Sequence, residues 1–191
     1  MMNPLSVCLT KRTRSGSRRG FLLGAAASLL GLVHRPSWAD ADSELDARFT
    51  YLSTHGNSNC SAEFMQSIQT MSVTASLQGS CCAPMDRAKY KSQRQGLRAF
   101  SHIPDIPPDP YDITARVARK MLMYYSLNLT TAEQRAYQYA MEHSEEKGPC
   151  CCQCWRWHVL GGLAKFLIRE HAFSGPQVTQ IWDLTDGCGG A

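Results

Sequence analysis

The sequence has no apolar run long enough to cross a membrane, which takes about 18 to 20 consecutive apolar residues in a helix. Charged residues make up only 19% of the chain and aromatic residues 9%, a composition that excludes a mostly disordered chain. Residues 42–191 also lack any run of Lys or Arg that could follow a phosphate backbone, because 14 basic side chains are balanced there by 15 acidic ones. We therefore expect neither a permanent membrane span nor a nucleic acid partner.

Common catalytic patterns are also absent. The sequence contains no Ser/His/Asp arrangement, no glycine-rich phosphate loop and no carboxylate pair at a spacing suited to acid–base catalysis. These absences favour a binding protein over an enzyme. Runs of alternating apolar residues, which would indicate strands, are missing too. A chain of 191 residues suits one domain, and we predict an all-α fold of four to six helices.

Cysteine, in contrast, is abundant. The chain has nine cysteines in 191 residues, several times the ordinary usage, and eight of them follow residue 41. Metal binding, disulfide bonds or thiol chemistry must account for this excess.

The first 41 residues have the three parts of a secretory signal. A basic stretch precedes the apolar run of residues 21–33, and small residues follow near Ala39 and Ala41. Six basic residues against one acidic residue give this segment a charge of +5. The basic part reads Ser-Arg-Arg-Gly-Phe-Leu and resembles the twin-arginine signal family; the residues that match are Arg18, Arg19, Phe21 and Leu22.

This resemblance implies a prokaryotic protein that folds in the cytoplasm and is exported, already folded, by the twin-arginine translocase. The protein would then be periplasmic or extracellular. Folding in a reducing compartment keeps thiols free, so a thiolate site can bind metal before the chain meets an oxidising exterior. The sequence indicates no other protein partner.

The remaining chain divides into a polar lead-in, residues 42–60, and a Cys-rich helical domain, residues 61–191. Residues 74–85 read as a loop and the proline-rich residues 101–109 as an extended connector. Helix signals are the spacing of apolar residues and the capping residues Asp109, Thr130 with Glu133, and Ser174 with Gln177. The predicted helices cover residues 61–73, 86–100, 109–128, 131–146, 149–171 and a short segment after Ser174.

The most informative segment is Pro-Cys-Cys-Cys-Gln-Cys, residues 149–154, with His158 four residues after Cys154. In a helix, Cys150, Cys154 and His158 would share one face; in an extended segment, Cys150, Cys152 and Cys154 would share one instead. Several soft ligands converge in both geometries, and soft ligands select copper, zinc or an iron–sulfur cluster over magnesium or calcium.

We predict a metal site whose first ligands are Cys150, Cys152, Cys154 and His158. Cys81 and Cys82 would complete its shell from the preceding loop. The secondary candidates are Cys151, Cys60, His55 and Cys188.

The same segment resembles a group of bacterial exported proteins defined by a Pro-Cys-Tyr-Cys-Gly-Cys motif. Pro149, Cys150, Cys152 and Cys154 match it, whereas Cys151 replaces the tyrosine. Gln replaces the motif glycine, and the resemblance extends to the following histidine and the late Gly-Cys pair. It implies an exported Cys-rich module, for which metal binding is the usual interpretation, and no particular reaction.

Two alternatives remain open. Eight cysteines are an even number, as expected for a structural or partner-binding module held together by disulfides. Cys151 and Cys154 also form a Cys-x-x-Cys spacing, which would suit a thiol-disulfide oxidoreductase, although the β-α-β setting of such sites is missing.

Overall fold

The computed structural model describes residues 38–189, with side chains from residue 41 onward. Within this part the chain is mostly helical, with seven α-helices, one turn of 3-10 helix and a small sheet. The predicted all-α class is therefore right for most of the chain but misses the sheet, and the helices exceed the predicted four to six. The elements are α1 (Trp38–Thr54), α2 (Ala62–Ser67), β1 (Ser76–Gln78), α3 (Arg87–Leu97), the 3-10 turn (Arg98–Phe100), β2 (Asp112–Thr114), α4 (Ala115–Tyr125), α5 (Thr131–His143), α6 (Trp155–His171) and α7 (Gly175–Thr185).

The sheet has two antiparallel strands, β1 and β2, in which Leu77 lies opposite Ile113. Both of these central side chains are fully buried. Each strand has only three residues, which is too short to produce the alternation that predicts a strand from sequence. The sheet places β1, predicted as loop, next to the residues that begin α4.

Helix α6 is the centre of the larger core. Eleven of its 17 residues are buried, and it packs against α4, α5 and α7. Gly162 allows the close approach of α4, because a Cβ atom there would overlap the carbonyl oxygen of Met121. The indole N–H of Trp182 on α7 donates to the carbonyl oxygen of Leu160 at 3.0 Å. Helix α6 is thus held on several sides.

Of the six predicted helix starts, four agree with the structure and two are wrong. Ser61 caps α2 and Asp86 caps α3, at the predicted starts. Capping boxes begin α5 at Thr130 and α7 at Ser174, as expected. Helix α4 is capped by Thr114 rather than Asp109, because β2 intervenes. Helix α6 begins at Trp155 and not at Pro149. The cysteines before α6 therefore lie in an irregular segment and not on a helical face.

The residues predicted as a polar lead-in form helix α1 as far as Thr54. Its Leu52 is buried in a second, smaller core together with Met85, Tyr90 and Tyr111. Among the described residues, no helix is long and apolar enough to span a membrane. The predicted twin-arginine motif lies outside the described residues.

Candidate thiolate site

Four separate stretches of the chain bring eight cysteines to one place. The first follows α1, the second follows β1, the third precedes α6, and the fourth follows α7. In chain order the cysteines are Cys60, Cys81, Cys82, Cys150, Cys151, Cys152, Cys154 and Cys188.

Backbone pairing beside the sheet positions Cys60. The amides of Asn57 and Ser58 donate to the carbonyl oxygen of Gln78 at 3.0 and 3.1 Å. Gly79 follows with a positive φ of 79°, and a Cβ there would lie 2.6 Å from the Cα of Gly56. This approach, which glycine alone permits, brings the loop that carries Cys60 beside the turn that carries the cysteine pair.

A buried arginine connects that turn to the start of α6. The Arg156 guanidinium is fully buried and donates to the carbonyl oxygens of Gly79 and Pro110, both at 2.7 Å. Its plane also lies over the Trp155 ring, with 4.6 Å between Cζ and the ring centroid. Because Arg156 follows Cys154 closely, these bonds place the α6 segment next to Cys81 and Cys82.

The C-terminal tail closes the site from the other side. The Ala83 amide donates to the carbonyl oxygen of Cys188 at 2.9 Å, and Cys188 forms a disulfide with Cys150. The structure therefore pairs Cys150, predicted as a metal ligand, with a residue predicted as a secondary ligand. In this oxidation state neither sulfur offers a thiolate.

The other six cysteines are free, and their sulfur atoms form one continuous set of contacts. Cys82 is at its centre, with Sγ–Sγ distances of 3.2 Å to Cys60, 3.4 Å to Cys152, and 3.7 Å to both Cys81 and Cys151. These distances far exceed the about 2.05 Å of a disulfide bond. The contacts are therefore between separate sulfurs.

Two further contacts complete the set, at 3.6 Å between Cys60 and Cys152 and at 3.9 Å between Cys81 and Cys154. Exposure changes across the cluster, because Cys154 is only 6% exposed whereas Cys60 and its neighbours on the outer side face solvent. The site thus has a buried end and an open end.

Several groups of three cysteines have their sulfur atoms within 4.8 Å of one another, close enough to hold a metal ion. Two of these triads consist only of free cysteines. The triads are Cys60 with Cys81 and Cys82, and Cys60 with Cys152 and Cys154.

The cysteines differ in how readily they ionise. A hydrogen bond from the Cys81 thiol, together with backbone N–H groups at the start of α6, lowers the pKa of Cys154 to about 5 against the effect of burial. The same hydrogen bond, with burial, raises the pKa of Cys81. Burial opposes ionisation of Cys82, yet hydrogen bonds from four neighbouring thiols lower its pKa overall. Cys154 is therefore the free cysteine whose pKa is lowered most.

The remaining free cysteines ionise less readily than these two. Burial, and then the bond to Cys82, raise the pKa of Cys60. Burial also raises the pKa of Cys151 to about 12 and of Cys152 to about 11. Binding a metal through these sulfurs would release protons, because the thiolate is the ligand.

Neither predicted histidine belongs to any of the triads of the described chain. His158 Nδ1 donates to the carbonyl oxygen of Cys154 at 2.8 Å, and its ring contacts Tyr125 edge-on. His55 is exposed and stacks on Tyr51. Because α6 begins only at Trp155, the helical spacing that would bring His158 beside Cys150 does not arise.

Arg156 was not among the predicted site residues. The signal for it was a single charged residue in an otherwise apolar stretch between two tryptophans, which on a buried helix predicts a side chain with specific partners. The structure accordingly contains a Cys-rich cluster with sulfur atoms at metal-binding spacing and one disulfide. No protein-family model, curated protein or solved structure matches the chain.

Proposed function

We propose that the protein binds soft metal ions, copper or zinc, through the thiolates of the six free cysteines, as a carrier, store or accessory factor. The observation that carries the proposal is the continuous set of sulfur contacts between 3.2 and 3.9 Å. In a tetrahedral site with metal–sulfur bonds of about 2.3 Å, neighbouring sulfurs are about 3.8 Å apart. The spacing of the cysteines fits such coordination.

Charge around the site supports the same proposal. Among the described residues no carboxylate forms an ion pair with Arg156, whose guanidinium is fully buried and whose Nε has no hydrogen-bond partner. A buried cation without a counter-ion is costly. The hydrogen bond to Cys154 and burial raise the pKa of Cys81, and the positive charge of Arg156 opposes that rise. A cluster of thiolates would supply the missing negative charge.

We further propose that the protein is exported by the twin-arginine translocase and works in the periplasm or outside the cell. The support is the sequence around Arg18 and Arg19. Export after folding would allow the six thiols to bind copper or zinc before oxidation. The partial match to the Pro-Cys-Tyr-Cys-Gly-Cys group, from Pro149 to Cys154, agrees with an exported metal-binding module.

Elemental analysis tests the proposal directly. Protein purified without chelator from its own compartment is expected to contain stoichiometric copper or zinc, and Cys82→Ser together with Cys154→Ser is expected to remove it. His55→Ala is the control, since His55 is exposed and lies outside the triads. Substoichiometric metal of every kind, with unchanged thermal stability on adding Cu(I) or Zn(II), contradicts the proposal.

A second candidate function is a partner-binding module held together by disulfides, which the bond between Cys150 and Cys188 favours. Peptide mapping without reductant distinguishes the two. Four bridges and no free thiol would support this candidate, whereas free thiols at Cys152 and Cys154 would support metal binding.

A thiol-disulfide oxidoreductase is the third candidate, favoured by the low pKa of Cys154. Cys154 is nearly buried, however, and the free thiol that contacts it most closely is Cys81 and not Cys151 of the Cys-x-x-Cys spacing. Wild-type protein that fails to exchange disulfides with a small thiol excludes this activity.

A further inference from the structure

The free cysteines outnumber the ligands that one ion uses. Six free sulfurs lie in the contact network, whereas a tetrahedral zinc ion takes four ligands. Two triads consist only of free cysteines, and one sulfur belongs to both of them.

That shared sulfur belongs to Cys60. One triad joins it to Cys81 and Cys82 on the turn after β1, and the other joins it to Cys152 and Cys154 before α6. Its Sγ lies 3.2 Å from Cys82 and 3.6 Å from Cys152, so it stands between the two pairs. Two ligand sets with one common member describe two neighbouring ion sites.

We propose that the cluster holds two soft metal ions bridged by the thiolate of Cys60, an inference that rests on the proposed function. A thiolate sulfur has several lone pairs and can bind two cations at once. Each binding event replaces thiol protons by metal–sulfur bonds and releases those protons to solvent, without any change in oxidation state.

Cys82 has more sulfur contacts than Cys60 but is a poorer bridge. Its neighbours include Cys151, at 3.7 Å, which belongs to neither of the triads made only of free cysteines. The Sγ of Cys82 also lies 3.4 Å from that of Cys152, but of the two triads made only of free cysteines Cys82 belongs to one, and it shares no triad with Cys154. Cys60 belongs to both triads, so its sulfur is the one that the two ligand sets share.

Native mass spectrometry of the full exported chain tests this inference, with Zn(II) and Cu(I) supplied in separate titrations. We expect two ions for wild type and at least one fewer for Cys60→Ser. His55→Ala is the control, because His55 is an exposed potential ligand that stacks on Tyr51 and lies outside every triad, and this variant is expected to retain two ions. Thermal unfolding without metal checks that both variants fold.

Cadmium NMR tests the bridge itself, with a spin-active cadmium isotope bound in place of zinc. Two cadmium signals are expected in the wild-type NMR spectrum, coupled to each other through the shared sulfur. Two uncoupled signals, or two ions retained by Cys60→Ser at wild-type affinity, overturn the bridge.

The failures are distinguishable from one another. A single ion in wild type overturns the inference and leaves the proposed function standing. No ion of any kind overturns both.

Discussion

Arg156 and Gly79 are joined by a hydrogen bond of 2.7 Å, from the guanidinium Nη2 to the carbonyl oxygen. The bond connects the first turn of α6 to the residue that follows β1. Cys154 lies just before one partner, and Cys81 just after the other. One buried side chain thus sets the distance between two parts of the sulfur cluster, and it makes a second such bond to Pro110.

Replacing this arginine is expected to weaken both the fold and the site. In Arg156→Met, the buried carbonyl of Pro110 loses the guanidinium donor, whereas that of Gly79 keeps the Ser58 hydroxyl at 3.1 Å. An unsatisfied buried group costs about 1 to 3 kcal/mol, and we expect the free energy of unfolding to fall by about this amount in urea denaturation. Arg116→Met, at an exposed position of α4, is the control. Equal stability of the two variants would contradict this role for Arg156.

The disulfide between Cys150 and Cys188 is expected to stabilise the folded chain by restricting the unfolded one. The two residues are 38 positions apart, and closing a loop of that length is worth about 3 to 4 kcal/mol. Cys188→Ser is expected to lower the free energy of unfolding by this amount under oxidising conditions. With excess reductant the variant and wild type are expected to unfold together; a difference that persists there would assign the effect to packing of the serine.

Close packing of α4 on α6 predicts a large effect of a small substitution. In Gly162→Ala the new methyl group would meet the backbone of Met121, which cannot rotate away. We expect a loss of about 1 to 3 kcal/mol, measured by thermal unfolding.

Gly161→Ala is the matched control for this substitution. Its methyl group would meet side-chain atoms of Tyr125 and Tyr137 at 2.9 to 3.0 Å, and side chains can shift. A loss as large as that of Gly162→Ala would mean that the two glycines are equally constrained.

The stability of the fold is expected to depend on pH through Glu133. A hydrogen bond from Arg169, followed by one from the backbone N–H of Thr130, lowers the pKa of Glu133 from 4.5 to about 2. A lowered pKa stabilises the folded state fully above about pH 4.5, and this contribution is lost as the pH falls towards about 2. Glu133→Gln is therefore expected to have a lower melting temperature than wild type at neutral pH. The difference in melting temperature is expected to narrow as the pH falls from about 4.5 towards about 2.

Arg169→Gln removes the same ion pair from its other side and is expected to reproduce this pattern in melting curves recorded across the pH series. A difference between Glu133→Gln and wild type that does not change with pH would contradict the contribution of the pair.

The parts of the fold that can be predicted from the sequence are those determined by residues close together along the chain. The capping boxes of α5 and α7 need only residues three positions apart, such as Thr130 and Glu133, so their signals are local. The predicted start of α6 at Pro149 is wrong, although proline is acceptable at a helix start. The helix begins at Trp155, where Arg156 makes long-range hydrogen bonds that the local sequence does not indicate. Strands β1 and β2 exist only through their pairing with each other.

For the candidate site, sequence indicates which residues take part but not how they pair. The concentration of cysteines between Cys150 and Cys154 predicts a site there, and Cys81 and Cys82 lie beside it. The disulfide could not be predicted, because it depends on where the tail carries Cys188. Cys60, a secondary candidate, lies at the junction of two triads through pairing around Gly79, which is again a long-range contact.

The free sulfurs come from three stretches of chain that meet only in the finished fold. Coordination by Cys60, Cys81 and Cys154 would therefore act as a cross-link that forms late and dissolves when the ion leaves. Release of the ion would then loosen the fold, so the metal-free protein would be the form that proteases degrade first.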